Sequence, residues 1–186
     1  MESDTRTQVS NPFTLRELRD AFGLFATGVT VVTAVRPDAV PVGVTVNSFA
    51  SVSLEPPLLL WCLSRASSAV PAFGPGAPFA VHVLSHHQLD LARHFARRGH
   101  EKFDDGRLWS NRPEPPHLAE ALCRFDCRVQ EMHSGGDHVI LLGEVRAIAR
   151  APGTPLAFHA SRFGSFSADP GIPEMDVWEG LDDHWY

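Results

Sequence analysis

The sequence has 186 residues, of which 44% are hydrophobic and 20% are charged, and its formal net charge is −6. This length and composition are typical of one soluble globular domain and leave little room for a second. The acidic balance argues against a nucleic-acid-binding protein, in which a basic face would be expected.

The N-terminal residues are polar and lack the apolar core of a signal peptide, and no run approaches the length of a membrane span. Three cysteines (Cys62, Cys123 and Cys127) are too few, and odd in number, for a disulfide framework. They predict reduced thiols and a cytoplasmic protein. The spacing of Cys123 and Cys127 is not that of a zinc site, so we expect no metal.

In chain order, residues 1–12 are expected to form a flexible arm before a domain at 13–166. Thr14 and Glu17 have the spacing of a capping box and predict a helix that ends near Gly28. Apolar residues recur at helical spacing after this cap. They are Leu15, Leu18, Ala21, Phe22 and Phe25.

Strands are predicted where β-branched and apolar residues run between turn residues. The predicted ranges are 29–35, 40–46, 49–53, 58–63, 79–84, 122–132, 138–149 and 155–159. The continuous apolar run 58–63 is typical of a strand buried on both faces. The sequence SGGD at 134–137 predicts a tight hairpin turn between the two longest strands.

Three further segments complete the chain. A helix is predicted at 87–97, and the polar, proline-bearing segment 99–116 is a candidate active-site loop. Residues 167–186 form an acidic tail whose Trp178 and Trp185 predict either docking or a mobile end.

The predicted fold is mainly β, an antiparallel and nearly closed barrel with a few flanking helices. The order of strands and helices is too irregular for a doubly wound parallel sheet, and the glycine-rich fingerprint of dinucleotide-binding folds is absent.

Two clusters of hydroxyl side chains flank the apolar run at 58–63. Together they predict a site for an anionic ligand, built without a lysine, to which Arg65 could add charge. The first cluster contains Thr45, Asn47, Ser48, Ser51 and Ser53, and the second contains Ser64, Ser67 and Ser68.

Several motifs, in this order, resemble the short-chain flavin reductases, the reductase components of two-component flavin-dependent monooxygenases. They are ATGVTVVT at 26–33, GVTVNSF at 43–49, SVSLEPP at 51–57, FAVHVL at 79–84, KF at 102–103 and GDH at 136–138. The resemblance covers 13–166.

The resemblance implies an FMN-binding split β-barrel, Greek-key-like in topology, that acts as a homodimer. It also implies transfer of hydride from NADH, rather than NADPH, to FAD or FMN, and release of reduced flavin to a monooxygenase. Hydride transfer requires alignment of two cofactors rather than an acid, base or nucleophile, so none is assigned.

The resemblance places His138 against the nicotinamide. It also places Phe158 and Phe163 where the family often carries tyrosines that contact the nicotinamide. His82 stands where the family leads us to expect asparagine. The flavin-binding residues that it implies are Gly28, Val29, Thr30, Thr45, Val46, Asn47, Ser48, Ser51, Cys62, Leu63, Ser64, Ser67, Ser68, His82, Val83 and Phe103.

Two alternatives remain open from the sequence. The barrel could hold flavin without turning over a nicotinamide, or it could be a self-contained flavin oxidase that uses the tail at 167–186 to recognise a substrate. The motifs do not discriminate between FAD and FMN.

Overall fold

A computed structural model describes residues 12–99, 101–103, 109–110 and 115–171. Its helices are α1 (Leu15–Phe22) and α2 (Leu89–Ala96), with short 3-10 turns at Val70–Ala72, His86–Gln88 and Glu101–Phe103. The strands are β1 (Thr27–Gly28), β2 (Thr30–Val35), β3 (Pro41–Val46), β4 (Ala50–Leu54), β5 (Pro57–Ser64), β6 (Pro78–Val83), β7 (Trp109–Ser110), β8 (His117–Leu118), β9 (Cys123–Gly135), β10 (His138–Arg150), β11 (Leu156–His159) and β12 (Arg162–Ser165).

Seven strands form one antiparallel sheet in the order β3-β2-β6-β9-β10-β5-β4. The strands β3 and β4 follow each other in the chain but lie at opposite edges of this sheet. Residues 47–49 must therefore cross from one edge to the other, which requires the sheet to curl. The prediction of a mainly β, antiparallel barrel is confirmed.

The crossing segment is fixed to β5 by a side chain. The hydroxyl oxygen of Ser48 accepts the backbone N–H of Cys62 in β5 at 2.9 Å. Because Cys62 lies on the far side of the curled sheet from β3, this bond holds β3 and β5 across from each other.

Two hydrophobic clusters lie on the two faces of β2, which is buried on both. One cluster, inside the barrel, includes Trp61, Phe73 and Phe79. The other lies between the sheet and α2 and includes Phe95. The sequence predicted burial on both faces for 58–63 instead, but only alternate residues of β5 are buried. The alternate residues of β5, such as Cys62 and Ser64, are only half-buried, so the continuous apolar run did not indicate double burial there.

The capping box at the start of α1 is confirmed, since Thr14 Oγ1 accepts the Glu17 N–H at 3.2 Å and the Thr14 N–H donates to Glu17 Oε2 at 2.7 Å. The helix ends at Phe22, earlier than predicted. Residues 27–28 instead form the strand β1, which pairs with β11.

The strand β12 was not predicted. It pairs with β11 in a small sheet of the order β1-β11-β12. The turn between them places Ala160 and Ser161 at positive φ, 47° and 63°. Neither residue is a type that signals such a turn, so the sequence pattern gave no indication of the hairpin.

Parts of the chain to which predictions were attached lie outside the described residues. They include most of the arm at 1–12, much of the loop at 99–116 and, within the acidic tail, residues 172–186 with both tryptophans. In the part of the chain that the structure describes, no helix is long and apolar enough to cross a bilayer.

His82 is fully buried in β6 and joins three segments. Its Nδ1 lies 3.1 Å from the carbonyl oxygen of Val31, and its Nε2 accepts the N–H of Leu118 at 3.1 Å. This pattern requires a neutral ring with its proton on Nδ1. Burial lowers the pKa of His82 to about 4, and the charges of His117 and Arg124 also lower it. The Val31 carbonyl oxygen and the Asp126 carboxylate act in the opposite direction and raise this pKa.

We predict that the folded protein becomes less stable in acid because of His82. Because its pKa lies below the ordinary value of 6.5, the unfolded chain binds the proton more tightly, and stability is lost as pH falls from about 6.5 to about 4. The contribution is about 3 kcal/mol. Denaturant titrations at pH 7 and pH 4 should show a smaller pH effect for His82→Gln than for wild type. The exposed His87→Gln should retain the wild-type pH effect, and an equal pH effect in wild type and His82→Gln would contradict the assignment.

Candidate functional site

A cleft of about 600 Å³ lies between β3, the end of β5 and the residues that follow α2. Most members of both predicted hydroxyl clusters line it, together with the start of β10. The sequence-predicted residues that the structure brings together here are Thr45, Val46, Asn47, Ser48, Cys62, Leu63, Ser64, Ser67, Ser68 and His138.

The second hydroxyl cluster forms one wall of the cleft in a tight turn after β5. Ser64 Oγ accepts the N–H of Ala66 at 3.3 Å, and Ser67 Oγ accepts the N–H of Ala69 at 3.2 Å. These bonds use hydroxyl oxygens as acceptors and leave the hydroxyl protons available to a ligand, as a hydroxyl both donates and accepts. We call Ser64, Ser67 and Ser68 the serine wall.

Two hydroxyls of the first cluster have structural partners instead. Thr45 Oγ1 donates to the carbonyl oxygen of Ala92 in α2 at 2.7 Å. Ser48 Oγ binds the β5 backbone at Cys62. These two side chains hold the walls of the cleft in place, while Asn47 between them is exposed to it.

Lys102 lines the cleft and was not assigned to the site from the sequence. Its ammonium group donates to the carbonyl oxygens of Gly43 at 2.9 Å and Phe95 at 2.8 Å, which ties β3 to the end of α2. Partial burial lowers the pKa of Lys102. The prediction of an anion site without a lysine therefore missed a cation on its wall.

Arg97 and Arg98 follow α2, are exposed and also line the cleft. Among the described residues neither forms an ion pair. Two adjacent arginines after a predicted helix were the sequence signal for this basic rim. They give the cleft a positive side opposite the uncharged serine wall.

Gly43 permits close packing at the base of the cleft. A Cβ added there would lie 2.4 Å from the ring of Phe95 and 3.2 Å from that of Phe103. Phe95 and Phe103 are buried and pack edge to face, with ring centroids 5.3 Å apart. The absence of a side chain at Gly43 lets α2 lie directly against β3.

His138 reaches the cleft from the start of β10, where it is paired in register with Ser64. Its Nδ1 lies 2.8 Å from Asp137 Oδ1. That hydrogen bond and the nearby imidazole lower the pKa of Asp137. Arg65, which was expected to add charge for the ligand, is directed at the turn before His138 instead.

Other predicted site residues do not line the cleft in this chain. Gly28 and Val29 lie beside the small sheet, Thr30 Oγ1 binds the Val46 carbonyl oxygen, and Ser51 lies in the edge strand β4. Val83 pairs within the main sheet, and Phe103 packs on Phe95.

The His82 side chain has no exposed surface and both of its ring nitrogens are engaged within the fold. The predicted flavin contact at this position would therefore have to come from the backbone of His82. Phe158 and Phe163 pack on each other at 5.1 Å on the β11–β12 hairpin, and Phe163 is 40% exposed. Among the described residues, no cluster of histidine, cysteine, aspartate or glutamate has the arrangement of a metal site.

A curled antiparallel sheet with a cleft lined by hydroxyl side chains and exposed arginines places the chain in the class of β-barrel proteins. Comparison with known proteins identifies the family within that class. The chain belongs to the family with a flavin reductase like domain, whose model matches residues 22–167.

Two relatives share most of their length with this chain. It is 49% identical over 152 residues to the FMN reductase (NADH) SmoA of Agrobacterium fabrum, over 82% of this chain and 86% of that protein. It is 36% identical over 166 residues to the reductase component of a 4-nitrophenol 4-monooxygenase/4-nitrocatechol 2-monooxygenase of Rhodococcus opacus, over 89% of each chain.

A solved structure agrees with the fold. The NADH:FAD oxidoreductase SgcE6 of Streptomyces globisporus, in complex with NAD and FAD fragments, is similar with a TM-score of 0.76 and 38% identity. The similarity covers 88% of this chain and 99% of that one. The sequence-based recognition of a flavin reductase split barrel is thus confirmed.

Proposed function

We propose that this protein is an NADH-dependent flavin reductase that passes hydride to FMN or FAD and supplies reduced flavin to a partner monooxygenase. The family and the names of the relatives support this activity. The observation that carries it is the pairing of Ser64 with His138, which brings the serine wall and the predicted nicotinamide-binding residue to one cleft.

The residues present fit a flavin. A flavin phosphate accepts hydrogen bonds and carries negative charge, and the serine wall and the Arg97–Arg98 rim supply donors and positive charge. Apolar side chains such as Val44, Val46 and Leu63 offer a surface for the ring. Bound flavin supplies the acceptor for the hydride of NADH.

The protein's own contribution is to bind and align. The serine wall would hold the phosphate and ribityl chain, and Val46 and Cys62 would border the ring. His138 positions the nicotinamide. No side chain is required to gain or lose a proton, because the cofactors carry the electronic change and the protein determines their distance and orientation.

The function predicts NADH oxidation that depends on added FMN or FAD. His138→Ala should raise the KM for NADH about tenfold while leaving the Kd for FMN within about twofold, since the lost contact is to the nicotinamide. Steady-state absorbance and flavin fluorescence titrations measure the two quantities.

The substitution His133→Ala, at an exposed histidine that does not line the cleft, is the matched control. Flavin binding without any NADH oxidation would instead favour a flavin-binding protein that does not turn over nicotinamide. A weaker affinity for FMN with an unchanged KM would assign His138 to the flavin.

A second prediction concerns the phosphate. Ser68→Ala and Ser67→Ala should each weaken FMN binding about tenfold, because hydrogen bonds to a charged group contribute about 1.5–3 kcal/mol. Riboflavin has the same ring and ribityl chain but no phosphate, so its affinity should fall by less than that for FMN. Calorimetric titration with both ligands separates the two cases, and equal losses for FMN and riboflavin would show that the serine wall does not bind the phosphate.

We propose in addition that the protein is a homodimer. Among the described residues, the apolar side chains of α1 and the segment after it are exposed: Leu15 is 68% exposed, Phe22 69% and Phe25 77%. Monomeric proteins rarely expose a contiguous apolar surface of this kind.

Sedimentation at micromolar concentration should therefore give twice the mass of one chain. Phe22→Ser with Phe25→Ser should shift the equilibrium to monomer, whereas Leu54→Ser, at an exposed apolar residue of the edge strand β4, should not. A wild-type monomer would exclude the dimer.

A further inference from the structure

We propose that Arg65 is a positioning residue that holds the turn before His138 in place and so determines how the nicotinamide is aligned. This inference depends on the proposed function of His138. It assigns a role to Arg65 other than the ligand charge suggested by the sequence.

Three hydrogen bonds connect Arg65 to the turn between β9 and β10. Its backbone N–H donates to the carbonyl oxygen of Asp137 at 2.9 Å. Its Nε donates to the carbonyl oxygen of Gly136 at 2.9 Å, and its Nη2 donates to Ser134 Oγ at 2.7 Å. The planar guanidinium suits this arrangement because it presents its donors in a fixed geometry.

The strand ladder leaves only Gly136 and Asp137 of the turn unpaired. Gly136 has a positive φ of 68°, a conformation that glycine adopts readily. Gly136 and Asp137 are exposed, and strand pairing reaches only to His138 and its partner Gly135. Arg65 therefore supplies contacts that side-chain packing does not.

The effect reaches the imidazole through Asp137. The Arg65 side chain binds the carbonyl oxygen of Gly136, the residue before Asp137, and the Asp137 carboxylate lies 2.8 Å from His138 Nδ1. The His138 side chain is 44% exposed, so packing constrains its ring only partly. Moving the backbone of Asp137 would move the group that orients the ring.

Arg65 also follows Ser64 directly, at the start of the serine wall. One residue thus connects the wall proposed to bind the flavin phosphate with the turn proposed to bind the nicotinamide. The distance between the serine wall and this turn matters because hydride transfer depends on the relative placement of the flavin and nicotinamide rings.

Arg65→Ala should raise the KM for NADH and the Kd for NAD⁺ about five- to tenfold, as expected for the loss of about one net hydrogen bond. The Kd for FMN and the thermal midpoint should change little. Binding of NAD⁺ by calorimetry gives a readout that does not require turnover. Arg65→Lys, which retains one donor group, should recover part of the affinity.

Two comparisons make the test specific. Arg128 is an exposed arginine whose Nη1 donates to the Gly76 carbonyl oxygen at 2.9 Å, away from the cleft, so Arg128→Ala should resemble wild type. In the His138→Ala background, Arg65→Ala should cause almost no additional loss, because residues that act through one group are not additive.

Several results would overturn the inference. An unchanged KM and NAD⁺ affinity in Arg65→Ala, in a wild-type protein that does reduce flavin, would exclude a positioning role. A full additional loss in the His138→Ala background would show that Arg65 acts independently of His138. A parallel loss of FMN affinity would assign Arg65 to the serine wall. A wild-type protein that oxidises no NADH would overturn the proposed function itself, and this inference with it.

Discussion

The cleft depends on the hydrogen bond between Ser48 and the backbone of Cys62. The sheet has β3 and β4 at opposite edges, and the three-residue crossing between them forces it to curl. The Ser48 bond fixes where that crossing lies against β5. As a result, the end of β3 and the end of β5 face each other with a space between them. The positions of these two strands determine where the candidate ligand contacts of the cleft lie.

Helix α2 closes the cleft on a third side, and polar groups rather than packing alone define its position. Thr45 binds the carbonyl oxygen of Ala92, and Lys102 joins Gly43 to the carbonyl oxygen of Phe95. Gly43 lets the ring of Phe95 approach the strand. The polar residues around the cleft thus fall into two groups. Some bind the protein's own backbone and fix the walls, and others, chiefly the serine wall, retain protons for a ligand.

Much of this arrangement follows from local sequence patterns. Runs of β-branched residues, the capping box at Thr14 and the glycine-rich turn at 134–137 indicated their elements because each signal acts within a few residues. The parts that were missed depend on tertiary contacts. Nothing local to Lys102 shows that its ammonium group reaches a carbonyl oxygen of β3, and nothing local to His82 shows that both of its nitrogens are used inside the fold. The position of α2 likewise determines that β2, and not β5, is buried on both faces.

The chemistry of the serine wall has a consequence for how long a flavin stays bound. Ser64, Ser67 and Ser68 are uncharged, Lys102 is bound to two backbone carbonyl oxygens, and Arg97 and Arg98 lie exposed at the rim of the cleft. Neutral hydroxyls can exchange a phosphate for water one bond at a time, and exposed charges are screened by salt. A buried ion pair would instead have to be separated at a large desolvation cost. Under the proposed function, such a wall would favour short residence times, and flavin would act as a substrate that exchanges with solution rather than as a permanent prosthetic group.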